Sequence, residues 1–379
     1  MTVNRTYGIY KWFLICILLS ACRNTSSPIG DLTNPELRLT PLEHLILEKL
    51  DSAAGSIESI WPDYDLLTDY PGYIVFNENG QSKGYLLNST LDYPGDRSIS
   101  SGFNRIKVKR NDDHLALIGD PTRTSFSTGG FTIEGVHHYL FIYHGQLNYF
   151  PFYINYKDRG NNFFPTYLIH ELFHYYQSGI EGWDHAWPDG DASTLQWTEE
   201  AMAMRLLYFD FMQDVYFRDI KQDPMETLKA YVALISEVKR LDNSTNKVAT
   251  DRNLIIETTE GTARYVEHFS IMNTVYPPIN DDPSHGWRQA LYQSDSWDFS
   301  ILTLDRRIWY HTGAAATLLL KEVYPLFREK VRSQTLYEIA SHHLDQTERE
   351  SSEILLEIKN DWGWETYLQR ASQILALPQ

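Results

Sequence analysis

His170-Glu171-Leu172-Phe173-His174 is the stretch on which the reading of this chain turns. In a helix, positions i and i+4 lie about 40° apart around the axis, so the two imidazoles project the same way, one turn apart. Two nitrogens at that spacing can reach one Zn2+ at about 2.0–2.1 Å. Glu171 points about 100° away from His170, which puts it beside such an ion rather than on it. There a carboxylate can take a proton from a water whose pKa the ion lowers toward about 7. The flanks support a helix over 165–178: Pro165 suits a first turn and Gly179 a C-terminal stop. Ile169, Leu172, Phe173 and Tyr176 repeat at i, i+3, i+4 and i+7, a stripe expected to face the core and to leave the histidines on another face.

Two imidazoles leave a tetrahedral site short of a protein ligand. No third His follows at the H-E-x-x-H-x-x-G-x-x-H spacing, so a carboxylate is expected. Two candidates stand. One is Glu260, in Glu257-Thr-Thr-Glu260-Gly261-Thr262-Ala263-Arg264-Tyr265. The other is Glu200, in Trp197-Thr-Glu-Glu200-Ala201-Met-Ala203. Gly261 inside a helical run costs about 0.5–1 kcal/mol against Ala, which predicts a close approach, here to the H-E-x-x-H helix. Glu257 and Glu267 flank Glu260 at helical spacing, and either could orient a ligand His from behind. Other polar residues read as ordinary. His137 and His138 face opposite sides of a strand, His342 and His343 point about 100° apart on a helix, and Asp189-Gly190-Asp191 is a loop.

The order of motifs resembles the gluzincin metallopeptidases. H-E-x-x-H is followed by Glu260-Gly261-Thr262-Ala263-Arg264-Tyr265, similar to that family's E-G-x-A-x-Y. Then comes Tyr310-His311-Thr312-Gly313-Ala314, similar to the Y-x-x-G-A of its zinc aminopeptidase branch. The resemblance covers roughly residues 130–320. It implies an α+β, zincin-like metalloprotease fold in which His170, His174 and Glu260 hold Zn2+. It further implies Glu171 as general base and then general acid, and Tyr310 as donor to the tetrahedral oxyanion. The expected activity is a zinc-dependent peptidase, metal-activated water attacking a peptide carbonyl. The branch's G-x-M-E-N element is not present, and Gly130–Glu134 is only a faint echo of it, so amino-terminal recognition does not carry over. From other classes, the alternatives are a non-catalytic scaffold lipoprotein with this fold and a zinc hydrolase of a non-peptide amide or ester.

Outward from the motif, a β-rich part precedes it and helices follow. Thr40-Pro41-Leu42-Glu43 is a capping box opening a helix that runs to about Trp61, ended by Pro62. Tyr73–Asn77 and Ser82–Leu87 flank the turn pair Asn79-Gly80. Ile106 and Val108 alternate with lysines, and Asn111-Asp112-Asp113 turns the chain into an expected strand over His114–Ile118. Tyr139–Tyr143 and Phe152–Tyr156 are further strand candidates, with Pro151 at a strand edge or start. Helices are predicted near 165–178, 193–215, 224–241, 252–271, 308–322, 334–344 and 351–359. Residues 38–160 (helix plus β-rich subdomain) and 161–379 (helical zinc-site subdomain) are expected to form one catalytic unit.

The N-terminus reads as an address. Arg5 and Lys11 precede the short apolar run Trp12–Leu19, and Leu19-Ser20-Ala21-Cys22 resembles a bacterial lipobox. Residues 1–21 are then a lipoprotein signal peptide, Cys22 the lipidation site, and 22–37 a tether. Arg23, rather than Asp, implies outer-membrane sorting in the cell envelope. Several acyl chains hold a protein stably at a membrane. Loss of Arg5 and Lys11 with the signal takes the charge from −17 to −19. Such an acidic chain is a poor nucleic-acid partner, since phosphate binding needs a basic face. Peptide or protein substrates and a membrane lipid anchor are the expected partners.

Overall fold

The computed structural model describes residues 38–64, 71–78, 80–99, 102–118, 129–144, 160–180, 182–217, 223–272 and 308–376. The signal, Cys22, the tether and the expected Phe152–Tyr156 strand lie outside the described residues. The chain folds as a mixed α+β protein, with a six-stranded sheet first and helices after it. No described helix is long and apolar enough to cross a membrane.

Helix α1 (Pro41–Ile60) opens with the expected capping box. Thr40 Oγ1 accepts from the Glu43 backbone N–H, and the Glu43 carboxylate accepts from that of Thr40 at 2.7 Å. The same carboxylate, almost fully buried, takes Lys83 Nζ at 2.9 Å and so ties the helix start to the sheet.

The strands are β1 (Gly72–Glu78), β2 (Gln81–Leu87), β3 (Arg97–Ser98), β4 (Val108–Arg110), β5 (Gly129–Ile133) and β6 (Val136–His144). Their order is β3-β4-β2-β1-β6-β5, antiparallel throughout except for the pair β1–β6. Both tight hairpins use left-handed residues: Gly80 (φ 75°) joins β1 to β2, and Glu134-Gly135 (φ 49° and 85°) joins β5 to β6. Both faces of β1 are buried, which is why Tyr73–Phe76 reads as an unbroken apolar run. Ile74, Phe76, Tyr85, Leu87, Phe141 and Tyr143 face the helices. Tyr73, Val75, Leu86, Leu140 and Ile142 face a smaller core covered by Tyr93, Leu115 and Ile118.

The segment expected as a strand over His114–Ile118 is instead a 3-10 turn, Asp113–Leu117. Asn111 Oδ1 accepts from Asp113 N at 3.1 Å and Asp112 Oδ1 from Gly84 N at 3.0 Å. These local bonds coil the chain where a ladder would have extended it.

Helix α2 (Gly160–Tyr175) starts a turn earlier than expected, so Pro165 lies inside it at the cost of one backbone hydrogen bond. Burial offsets that cost. Phe164 packs on Phe76 and Tyr143, ring centroids 6.4 and 5.3 Å apart. Gly179 does not stop the helix. A π turn, Tyr176–Ile180, carries it on, and the left-handed glycine is Gly182 (φ 57°). The predicted stripe holds: Ile169, Leu172, Phe173 and Tyr176 are all buried, with Phe173 edge-on to Trp61 at 5.1 Å.

Then follow α3 (Glu199–Phe217), α4 (Pro224–Leu241), α5 (Val248–Glu267, extended by a π turn over His268–Met272) and α6 (Ile308–Val323). The segment expected as one helix over 193–215 is a 3-10 turn, Ala192–Thr194, and then α3. A short turn, Phe327–Lys330, leads to α7 (Leu336–Leu344), α8 (Glu348–Asp361) and α9 (Trp364–Leu375). Helix α9 has no counterpart among the sequence expectations; Tyr367 and Arg370 anchor it to Asp210 of α3 at 3.0 and 2.6 Å. One core runs from Ile46 of α1 through Phe76 of the sheet and Leu172 of α2 to Ala371 of α9, so the β-rich and helical parts bury apolar surface against each other.

Helices α5 and α6 cross at glycines. A Cβ on Gly261 would stand 2.4 Å from Gly313 Cα, and one on Gly313 would stand 2.0 Å from the Glu257 carbonyl oxygen. The close approach predicted for Gly261 is therefore real, but its partner is the Tyr310–Gly313 segment and not the H-E-x-x-H helix.

Candidate metal centre

Helix α2 presents His170 and His174 side by side, ring centroids 4.7 Å apart. Helix α5 brings Glu260 to them. Glu260 Oε2 lies 3.2 Å from His170 Nε2 and 3.0 Å from His174 Nε2, and the two nitrogens are 3.1 Å apart. Bonds of about 2.0–2.1 Å in a tetrahedron put ligand atoms about 3.3–3.4 Å apart. The three donors thus outline one face of a tetrahedron a few tenths of an ångström too small. This triad could hold a metal ion.

Each imidazole faces an oxygen from behind through its other nitrogen, and that of His174 is hydrogen-bonded to it. His174 Nδ1 is 2.7 Å from Gln177 Oε1, and an amide oxygen only accepts, so Nδ1 carries a proton. His170 Nδ1 is 3.1 Å from Glu267 Oε2, and Arg264 Nη1 holds both oxygens of that carboxylate at 2.8–2.9 Å. That contact is a close ion pair without aligned hydrogen-bond geometry, and a carboxylate facing Nδ1 favours a proton there. Both Nε2 atoms then turn lone pairs toward Glu260 Oε2. Three acceptors meeting at 3.0–3.2 Å repel unless a cation sits among them.

A proton can serve as that cation. Burial lowers the pKa of His170, but Glu260 and Glu267 outweigh it and push it up to about 9. Burial raises Glu260, and the two histidines outweigh that to hold its carboxyl well below the usual carboxylate range. Metal and proton therefore compete for the same lone pairs.

Glu171 is half-buried beside the triad and outside the donor group. Burial, with Tyr175 and Glu171 nearby, pushes the phenol of Tyr139 on β6 up. Tyr310, on the first turn of α6, lies parallel to His170 with ring centroids 6.2 Å apart. Arg264 approaches the Tyr310 ring at 6.0 Å. Glu200 is not at the site: its side chain is 50% exposed at the start of α3, with Arg240 at 3.7 Å. Glu267 does face His170 from behind, whereas Glu257 does not face either histidine. Glu134 is exposed in the β5–β6 turn, His138 is buried and His137 exposed on β6, and His342 and His343 are exposed on α7. Asp191 caps the 3-10 turn that follows it, accepting from Ser193 N at 2.9 Å, and Gly190 O accepts from Arg252.

Glu257 sits about one turn before Glu260 on α5 and is completely buried. It accepts from Tyr208 of α3, from Tyr231 of α4 at 2.9 Å and from Thr312 of α6 at 2.7 Å. Burial pushes its carboxyl up from 4.5 to about 7, although the three hydroxyls pull it down. A group raised on folding stabilises fully below its unfolded value, and that contribution is lost as pH rises through the folded one. Ionisation of Glu257 is therefore expected to cost on the order of 3 kcal/mol. Urea midpoints of the protein should fall between pH 5 and pH 8 by an increment that Glu257→Gln lacks. Parallel pH profiles for the two proteins would refute the assignment.

Sequence reasoning missed Gln177, Arg264 and the Glu257 cluster. The available signal for Gln177 was its place three residues after His174, on a neighbouring helix position. No protein-family model matches the chain, and no curated protein or solved structure matches it.

Proposed function

We propose that this chain is a zinc-dependent peptidase of the gluzincin type, lipid-anchored through Cys22 in the bacterial cell envelope. One observation carries the reading: two Nε2 atoms and a carboxylate oxygen converge at 3.0–3.2 Å while each Nδ1 faces another oxygen. A scaffold has no use for such a cluster or for a general base next to it. The zincin-like fold is supported by an H-E-x-x-H helix packed on a mixed sheet that ends in an antiparallel strand, β5. The envelope location rests on the lipobox and on Arg23 after the Cys.

His170, His174 and Glu260 would hold the ion, which supplies Lewis acidity and a water acidified toward a pKa of about 7. Glu171 would accept a proton from a water attacking the substrate carbonyl carbon. It would return that proton to the departing amide nitrogen as the C–N bond breaks. Tyr310, alongside His170, donates its hydroxyl proton in a hydrogen bond to the oxyanion formed on the carbonyl.

Elemental analysis of residues 23–379 tests the reading. One zinc per chain is expected, lost in Glu260→Ala and kept in Glu200→Ala. A parent chain that binds no zinc after reconstitution would refute it.

A further inference from the structure

We infer that Gln177 is the positioning residue of this site: it sets which nitrogen of His174 is free for metal and ties that ring to the helix carrying Glu260. The consequence for metal binding rests on the metal-site reading above; the geometry does not.

The direction of every hydrogen bond in the chain behind His174 can be traced from the backbone. Thr262 Oγ1 lies 2.7 Å from the Thr258 carbonyl oxygen and 3.2 Å from that of Thr259. A carbonyl only accepts, so the single hydroxyl proton of Thr262 points back along α5. Its lone pair is left for Gln177, whose amide nitrogen stands 2.8 Å away. The same nitrogen stands 2.9 Å from the Thr259 carbonyl oxygen, a second partner that only accepts. Both contacts demand the NH2 end of the amide on that side. Turning the amide over would lose two hydrogen bonds and set two oxygens against each other at 2.9 Å. Oε1 is thereby compelled to face His174 Nδ1, at 2.7 Å, and Nδ1 is compelled to carry a proton. Nε2 keeps its lone pair and points it at Glu260 and His170.

Gln177 is buried, so water does not replace these partners. It belongs to α2's own π turn, where the widened helix sets it behind His174. Its amide spans α2 and α5. The two ligand histidines are thus oriented by partners of different kind: a neutral amide for His174, a carboxylate held by Arg264 for His170.

The test compares the parent, Gln177→Leu and Gln177→Glu by competition for zinc with a chelator and by proton NMR of the cobalt(II)-loaded protein. Leu keeps the bulk and removes the acceptor; Glu keeps an oxygen toward Nδ1 at the same reach, while its second oxygen forfeits the two bonds that the amide nitrogen makes to α5. Gln177→Leu is expected to bind zinc about 10–100-fold more weakly. The parent is expected to show two slowly exchanging, metal-shifted imidazole N–H signals, one for each histidine. Gln177→Leu should lose that of His174 to solvent exchange and keep that of His170, and Gln177→Glu should keep both. A purely structural role for Gln177 would leave the N–H pattern unchanged. Equal zinc affinity and two persistent signals in Gln177→Leu would overturn the inference alone. A parent that binds neither zinc nor cobalt would overturn it together with the metal-site reading.

Discussion

Glu171→Gln is expected to keep its zinc and lose about 10²–10⁴-fold in kcat, the range that a positioned general base contributes. At about 1.4 kcal/mol per decade this is roughly 3–5.5 kcal/mol of barrier. The change is nearly isosteric and leaves the three donor residues untouched, since Glu171 lies outside the His170, His174 and Glu260 group. An amide cannot accept the water's proton, so the loss should fall on turnover rather than on metal content. The measurement is hydrolysis of a fluorogenic peptide library alongside zinc per chain. Glu134→Gln, in the exposed hairpin turn, serves as a carboxylate control and should behave as the parent. Unchanged turnover in Glu171→Gln would remove Glu171 from the chemistry and with it the peptidase mechanism.

Gly313→Ala is expected to destabilise the protein by about 3 kcal/mol or more. Two effects oppose each other. Alanine gains about 0.8–1 kcal/mol over glycine in a helix. Against that, the new Cβ would stand 2.0 Å from the Glu257 carbonyl oxygen and 2.8 Å from Gly261 Cα, and neither is a side chain that can swing away. Overpacking of a core costs about 1–3 kcal/mol even where side chains give, and here two helix backbones must part. Gly55→Ala on α1 supplies the contrast. Its Cβ would meet only the guanidinium of Arg105, the free end of a flexible side chain, so the propensity gain should survive. Urea unfolding of both variants separates the cases. Because Glu257 and Glu260 ride on the displaced helix, Gly313→Ala should also bind zinc more weakly. A Gly313→Ala protein as stable as the parent would mean that the two helices do not meet as described.

Much of the local structure was legible because it depends on neighbours a turn or less away. The Thr40 capping box, the start of α4 at Pro224 and the Gly80 hairpin are each set by a few adjacent residues. The pairing of His170 with His174 needs only 3.6 residues per turn. Local reading failed where local forces competed. The apolar His114–Ile118 run looked extended until the Asn111 and Asp112 side chains coiled it. Pro165 looked like a helix start until the burial of Phe164 carried the helix past it.

The amino-acid sequence by itself determined that two imidazoles and a carboxylate share a helix, that a glycine sits within a later helix beside a glutamate, and that Glu260 and Glu267 share one face. The tertiary structure alone decided that Glu260 and not Glu200 meets the histidines, that Glu267 backs His170 while Glu257 enters a cluster of hydroxyls, and that Gly261 lies against Gly313. The physical reason is rotational phase. Glu257 and Glu260 point only about 60° apart around α5. Which of them looks toward α2, and which toward α3, α4 and α6, depends on how far that helix is turned. The turn is set by backbone contact between Gly261 and Gly313, residues that no helical period connects.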